Sequence, residues 1–187
     1  MTTLLKPSLL GLALLLAACR GDPVHYHTLV PAQLAAPRGA QQVNIRIERV
    51  NVPPQVDRAQ IVVRQGDSGL AVLESEWWGA SLADELRSAL GGQLSSSGAR
   101  AMGLHLEVQR FDSVPGQYAL LEARWRLRPV AMGNALPALL CHSVLRTPAG
   151  PGMADLVAAQ QRNVTQLAGL IARAADGGAT TCPAPQA

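Results

Sequence analysis

Aromatic residues are scarce in this chain: three Trp, two Tyr and one Phe in 187 residues. Leu, Val and Ala must therefore fill any core. Lysine occurs once, at Lys6, so every other cationic side chain is arginine. Charged residues make up 16% and the formal net charge is +3. So small an excess argues against a nucleic-acid footprint. No like-charge run, heptad array or internal repeat occurs. No stretch reaches the roughly twenty apolar residues that a membrane-spanning helix needs. Apolar residues nevertheless make up 48% of the chain, enough for the core of one domain.

The N-terminus carries the strongest signal. Lys6 precedes an apolar run from Leu9 to Ala18, closed by Leu16-Ala17-Ala18-Cys19. A basic start, a short apolar centre and small residues before a cut are the layout of a secretory signal. Cys19 after Leu-Ala-Ala resembles the lipobox of bacterial lipoproteins. That resemblance implies cleavage before Cys19, a thioether-linked diacylglycerol on its sulfur, and acylation of the new amino group. Several acyl chains anchor stably where one does not. The competing reading is an ordinary cleaved signal with an incidental cysteine. Residues 1–18 are thus expected to be a signal peptide and 19–24 a lipidated tether. Residues 25–176 would form one domain, and 177–187 a mobile tail.

With Cys19 spent on lipid, Cys141 and Cys182 remain. An exported chain enters an oxidising compartment, so parity suggests a Cys141–Cys182 disulfide that ties the tail to the body. Two free thiols are the alternative.

Hydrophobic spacing gives the elements. His25–Val30 is β-rich and stops at Pro31. Val43, Ile45 and Ile47 alternate with polar residues, as in a half-buried strand. Pro53-Pro54 ends it. Ala59–Arg64 and Leu70–Leu73 read as strands joined by a turn at Gly66–Gly69. Ser81 through Asp84 suggests a helix cap, and Leu82, Leu86, Leu90 and Leu94 predict a helix over roughly 80–96. Gly91-Gly92 weaken it and could admit a close neighbour. Residues 104–111 and 119–128 predict a hairpin around a turn at Asp112–Gly116. Ala138–Arg146 is a further strand, and Met153–Ala175 a closing helix ended by Gly177-Gly178. Gln33–Gly39 and Pro129–Pro137 are read as loops. The expected class is α+β: a two-layer sandwich of one largely antiparallel sheet with two helices on one face.

Catalytic chemistry finds no support in the residues. His25 and His27 share a strand face but lack a third ligand, so no metal site is expected. His105 and His142 are isolated. Ser95-Ser96-Ser97 does not form a nucleophile elbow. Asp84 and Glu85 diverge on a helix. No phosphate-binding glycine loop precedes a helix. No enzyme, cofactor or catalytic residue is expected.

Two features suggest a partner. Trp77-Trp78 stands just before the helix cap; Trp78 is expected to pack on the first helical turns, leaving Trp77 as an anchor for a partner or for lipid. Arg124, Arg126 and Arg128 lie opposite the apolar residues of one strand, and nearby Glu122 can pair with only one or two of them. A partner protein is therefore expected to engage Trp77 or the arginine face, or both. A solvated arginine face is the plainer alternative.

Together these pieces resemble a known family. Tyr26-His27-Thr28-Leu29 soon after the lipobox is like its early Tyr-x-Leu strand. Val43–Val63 looks like its paired strands around a Pro-rich bend. Trp78-Gly79-Ala80-Ser81-Leu82 is similar to its helix entry, and 153–175 to its closing helix. The chain resembles the ABC-type transport auxiliary lipoprotein family, the PqiC/YmbA-like lipoproteins. The resemblance implies a non-enzymatic lipoprotein on the periplasmic face of the outer membrane. Its implied partner is a PqiB-like MCE-domain protein that carries lipids between two membranes. A structural or assembly lipoprotein with another envelope partner remains the alternative, and a homo-oligomer is left open. Arg20 after Cys19, rather than aspartate, fits outer-membrane sorting.

Replacing Cys19 by Ala is expected to leave an uncleaved or mislocalised precursor. Membrane fractionation and intact mass measure it; normal fractionation of the mutant would contradict lipidation.

Overall fold

The computed structural model describes residues 22–32, 43–130, 137–178 and 180–184. Cys19, the Gln33–Gly39 loop and most of the Pro129–Pro137 link lie outside them. Among the described residues, seven strands and two helices follow in order: β1 His25–His27, β2 Val43–Asn51, β3 Gln60–Gln65, β4 Gly69–Trp78, α1 Leu82–Leu94, β5 Arg100–Val114, β6 Tyr118–Pro129, β7 Leu139–Pro148 and α2 Met153–Asp176.

The α+β class holds, but the single sheet expected from the sequence resolves into two. One has the order β1-β4-β3, the other β2-β5-β6-β7. Each contains one parallel pair, β1 with β4 and β2 with β5. The consecutive strands β2 and β3, which the resemblance suggested as a pair, go to different sheets. The Pro53-Pro54 bend between them cannot make a tight hairpin, and β2 pairs instead with a strand that begins 49 residues after its end.

β6 shows why the larger sheet has one wet and one dry face. Ala119, Leu121, Ala123, Trp125 and Leu127 are all at most 1% exposed, while Arg124, Arg126 and Arg128 between them are exposed. Both helices cover the dry face: α1 lies over β2, and α2 chiefly over β6 and β7. Leu82, Leu86, Ala89, Leu90 and Leu94 of α1 are fully buried, as their spacing predicts. Ser81 caps α1, its hydroxyl accepting from the Asp84 N–H at 3.3 Å. A Cβ placed on Gly91 would stand 4.0 Å from Ile47, an ordinary contact, so no close approach there requires glycine.

α2 seats on the sheet through polar as well as apolar groups. Gln160 and Asn163 are fully buried. Gln160 Nε2 donates to the Asp112 carbonyl at 3.0 Å and to Ser113 Oγ at 3.2 Å. Asn163 Nδ2 donates to Gln160 Oε1, and Thr147 Oγ1 donates to Asn163 Oδ1 at 2.6 Å. Each buried amide thus finds partners, which removes the usual cost of burying it.

β1 is shorter than expected, three residues rather than six, and is held from several sides. The Gly79 N–H donates to the His27 carbonyl at 2.8 Å. Glu85, buried in the first turn of α1, accepts from Thr28 Oγ1 at 2.7 Å and from the Leu29 N–H at 2.8 Å. Gln161 of α2 donates to the Thr28 carbonyl at 2.9 Å. Leu29 itself is wholly buried.

β5 is longer than expected. Composition predicts a turn at Asp112, Ser113 and Val114, yet they continue the strand, and the turn follows at Pro115–Gln117, with Gly116 at φ +73°. The reason is a tertiary partner. Asp112 is 6% exposed and accepts from Arg64 Nη2 at 2.8 Å and Arg110 Nη2 at 2.5 Å. Arg64 lies on β3, so this pair joins the two sheets. Trp78 reinforces the junction by meeting Phe111 edge-on, centroids 6.3 Å apart. Burial works to raise the Asp112 pKa, but the Arg64 and Arg110 hydrogen bonds outweigh it and hold the pKa below the usual value of 3.8.

A depressed carboxylate pKa contributes stability that is present above the unfolded pKa and lost as pH falls through the folded one. Asp112→Asn is expected to lower unfolding free energy by about 3 kcal/mol at neutral pH, the low end for breaking a buried pair. Urea titrations of both proteins test this. The difference should narrow below the ordinary carboxylate range, where the wild-type Asp112 also takes up its proton.

Candidate functional site

The outer face of the larger sheet carries the candidate arginines. Alternation along β6 places Arg124, Arg126 and Arg128 on one side, with Glu122 next in line. Register then sets their neighbours: Arg128 stands opposite Gly103, Arg126 opposite His105, and Arg124 opposite both Glu107 and His142.

The salt-bridge partners differ from those expected. Glu122 pairs with none of the three arginines. It meets His142 Nε2 at 3.0 Å and Arg110 Nη1 at 3.9 Å. The neutralising acid is Glu48 on β2. Arg128 grips it with two hydrogen bonds, Nε to Oε2 at 3.1 Å and Nη2 to Oε1 at 2.7 Å. Glu48 reaches Arg128 across β5, over Gly103, where a Cβ would collide with its carboxylate. His105 Nε2 lies 2.7 Å from Glu48 Oε2, and Arg126 Nη2 lies 3.2 Å from His105 Nδ1. A guanidinium only donates, so Nδ1 of His105 must accept and Nε2 carries the proton towards Glu48. The order Arg128–Glu48–His105–Arg126 is therefore satisfied by a neutral imidazole. Burial works to raise the Glu48 pKa, but the Arg128 and His105 hydrogen bonds prevail and lower it.

Arg124 is exposed and takes part in none of the ion pairs within 4 Å among the described residues. Arg46 on β2 and Arg146 on β7 extend the basic character, the latter stacked 3.9 Å over the Tyr118 ring. Leu140 and Val144 on β7 face the same side, 66% and 48% exposed. The face is thus a basic surface with an apolar edge. Sequence alternation found its arginines; Glu48 and His105 were missed because nothing local links residues 57 positions apart.

Trp77 belongs to the smaller sheet. It is half-buried, pairs with Tyr26 across β1 and β4, and donates from Nε1 to the Glu74 carbonyl at 2.8 Å. The structure therefore puts Trp77 and the arginines on separate sheets. His25 and His27 do converge, on Glu76, at 3.2 and 2.5 Å. Among the described residues, no group of three or more His, Cys, Asp or Glu side chains is placed to hold a metal ion.

Cys141 is buried on β7, and Cys182 of the tail is joined to it as a disulfide, the Cα atoms 5.6 Å apart.

Residues 27–172 match the family described as the ABC-type transport auxiliary lipoprotein component. The chain belongs to this family. The match spans the strands and helices described above from the end of β1 to near the end of α2. By that description the protein is an auxiliary lipoprotein component of an ABC-type transport system. No curated protein matches the chain. Solved structures that share the fold include the following two. An uncharacterised protein is 18% identical with a TM-score of 0.64, covering 81% of this chain and 98% of its own. A Xanthomonas campestris protein of the DUF330 family is 19% identical with a TM-score of 0.59, covering 83% and 97%.

Closing a loop of 41 residues contributes roughly 4 kcal/mol in the chain-entropy account. Native alkylation without reductant is expected to leave Cys141 and Cys182 unlabelled, and reduction to lower the denaturation midpoint. Two labelled thiols in the unreduced folded chain would contradict the bridge.

Proposed function

We propose that the protein is a non-enzymatic lipoprotein of the outer membrane, anchored through Cys19 with its domain on the periplasmic side. It serves an MCE-type intermembrane lipid transport system by docking the periplasm-spanning MCE-domain protein. Membership of the auxiliary lipoprotein family supports the transport setting. The observation that carries the docking role is the helix-free face of β6. Its arginines stand towards solvent, while every residue between them is sealed in the core. Arginine binds carboxylates with two directed hydrogen bonds, so such a face suits an acidic partner surface. Arg128 and Arg126 are pre-set by Glu48 and His105, which lowers the entropy lost on docking. Leu140 and Val144 supply apolar area beside them.

The test is an Arg124→Glu, Arg126→Glu chain checked for folding by circular dichroism. Crosslinked pull-down from membranes is expected to recover at least about tenfold less MCE-domain protein, since like charges across an interface cost several kcal/mol. Undiminished recovery would show that this face is only solvated. Recovery of some other envelope protein in place of an MCE-domain protein would favour the structural or assembly role.

A further inference from the structure

Tyr26 and Trp77 stand apart from the aromatics of the core, and from Tyr118, which is half-buried beneath the Arg146 guanidinium. Trp78 and Trp125 are 3% and 1% exposed, and Phe111 is buried. Tyr26 is 67% exposed and lies against half-buried Trp77, centroids 6.3 Å apart in an edge-on arrangement. The pair lies where the chain enters the fold. The described chain begins at exposed Asp22, and Val24, one residue from β1, is 39% exposed. Tyr26 is only seven residues from Cys19. A fully extended chain spans at most about 3.6 Å per residue, so the Tyr26 Cα is held within about 25 Å of the Cys19 Cα. The body cannot slip this constraint, because β1 is fixed by β4 pairing, by Gly79 and by Glu85.

From this placement we propose that the Tyr26–Trp77 pair inserts at the headgroup level of the bilayer that holds the lipid anchor, and so sets how the domain stands on the membrane. The proposal rests on Cys19 being lipidated. Trp and Tyr favour this zone because an apolar ring meets lipid while a polar tip meets water. The Trp77 Nε1–H is already bonded to the Glu74 carbonyl, so immersing the ring strands no donor. Glu76, the acid beside the pair, is hydrogen-bonded by His25 and His27. The surface is thus distinct from the arginine face, and each can be occupied without the other.

The experiment uses the full lipidated chain purified from membranes. It is reconstituted in vesicles of three parts phosphatidylethanolamine to one part phosphatidylglycerol. A second set contains phosphatidylcholine brominated near the headgroup end of its acyl chains. Bromine quenches tryptophan only on contact, and Trp78 and Trp125 are sealed inside the fold. The expected result is loss of the Trp77 share of emission, one tryptophan of three, with no loss in a Trp77→Phe chain. A chain that floats with the vesicles but shows no bromine quenching overturns the proposal and leaves the anchor intact. Equal quenching in the wild type and Trp77→Phe also overturns it. A chain that neither floats nor carries diacylglycerol on Cys19 by mass spectrometry removes the anchor and this proposal with it.

Discussion

Strand β6 has to serve two solvents at once, and the rest of the fold follows from that. Each inward side chain is excluded from water, and most outward ones are charged. A period of two allows no compromise, since a slip of one residue would turn arginines into the core. Burying the inner row falls chiefly to α2, with α1 covering β2 in the same layer, and leucine and alanine do the filling because the chain has few large rings. No second layer can cover the outer row cheaply, since desolvating several guanidinium groups needs a matching set of acceptors. The helix layer is consequently one-sided, and the open side is where chemistry with other molecules can occur.

What could be read from the sequence was whatever has a local period. β6, β7 and α2 were placed within a residue or two because alternation or helical spacing runs through their whole length. The division into two sheets was hidden. Whether β2 pairs with β3 or β5 depends on the distant partner each edge finds, and parallel pairing leaves no hairpin signature. The Asp112-Ser113 stretch was hidden differently. Its composition is that of a turn, and Arg64, 48 residues away, joins Arg110 in making an aspartate acceptable inside a strand.

The candidate surface was legible to the same degree. Alternation gave the three arginines but not their electrostatic state. Glu122, the acid nearest in sequence, is spent on His142 and Arg110, while Glu48 from the far side of β5 takes Arg128. A bulge in β2 between Ile47 and Arg49 shifts the register beside it, and no sequence rule anticipates that shift. Of the three arginines, Arg124 therefore keeps the freest charge, although nothing in its immediate sequence marks it out.

The buried amides of α2 have a further consequence. The apolar side of this helix is rich in alanine and leucine, and such a surface fits a sheet almost as well after sliding by one turn. Apolar contact is forgiving of translation. Hydrogen bonds to Gln160 and Asn163 are not: moved by one turn, some 5.4 Å, Gln160 would lose its acceptors at Asp112 and Ser113, and Asn163 the Thr147 hydroxyl that donates to it, inside a dry interior. These two residues act as a vernier. They add little to the depth of the native well but raise its nearest neighbour, so the helix has one resting position where grease alone would allow several.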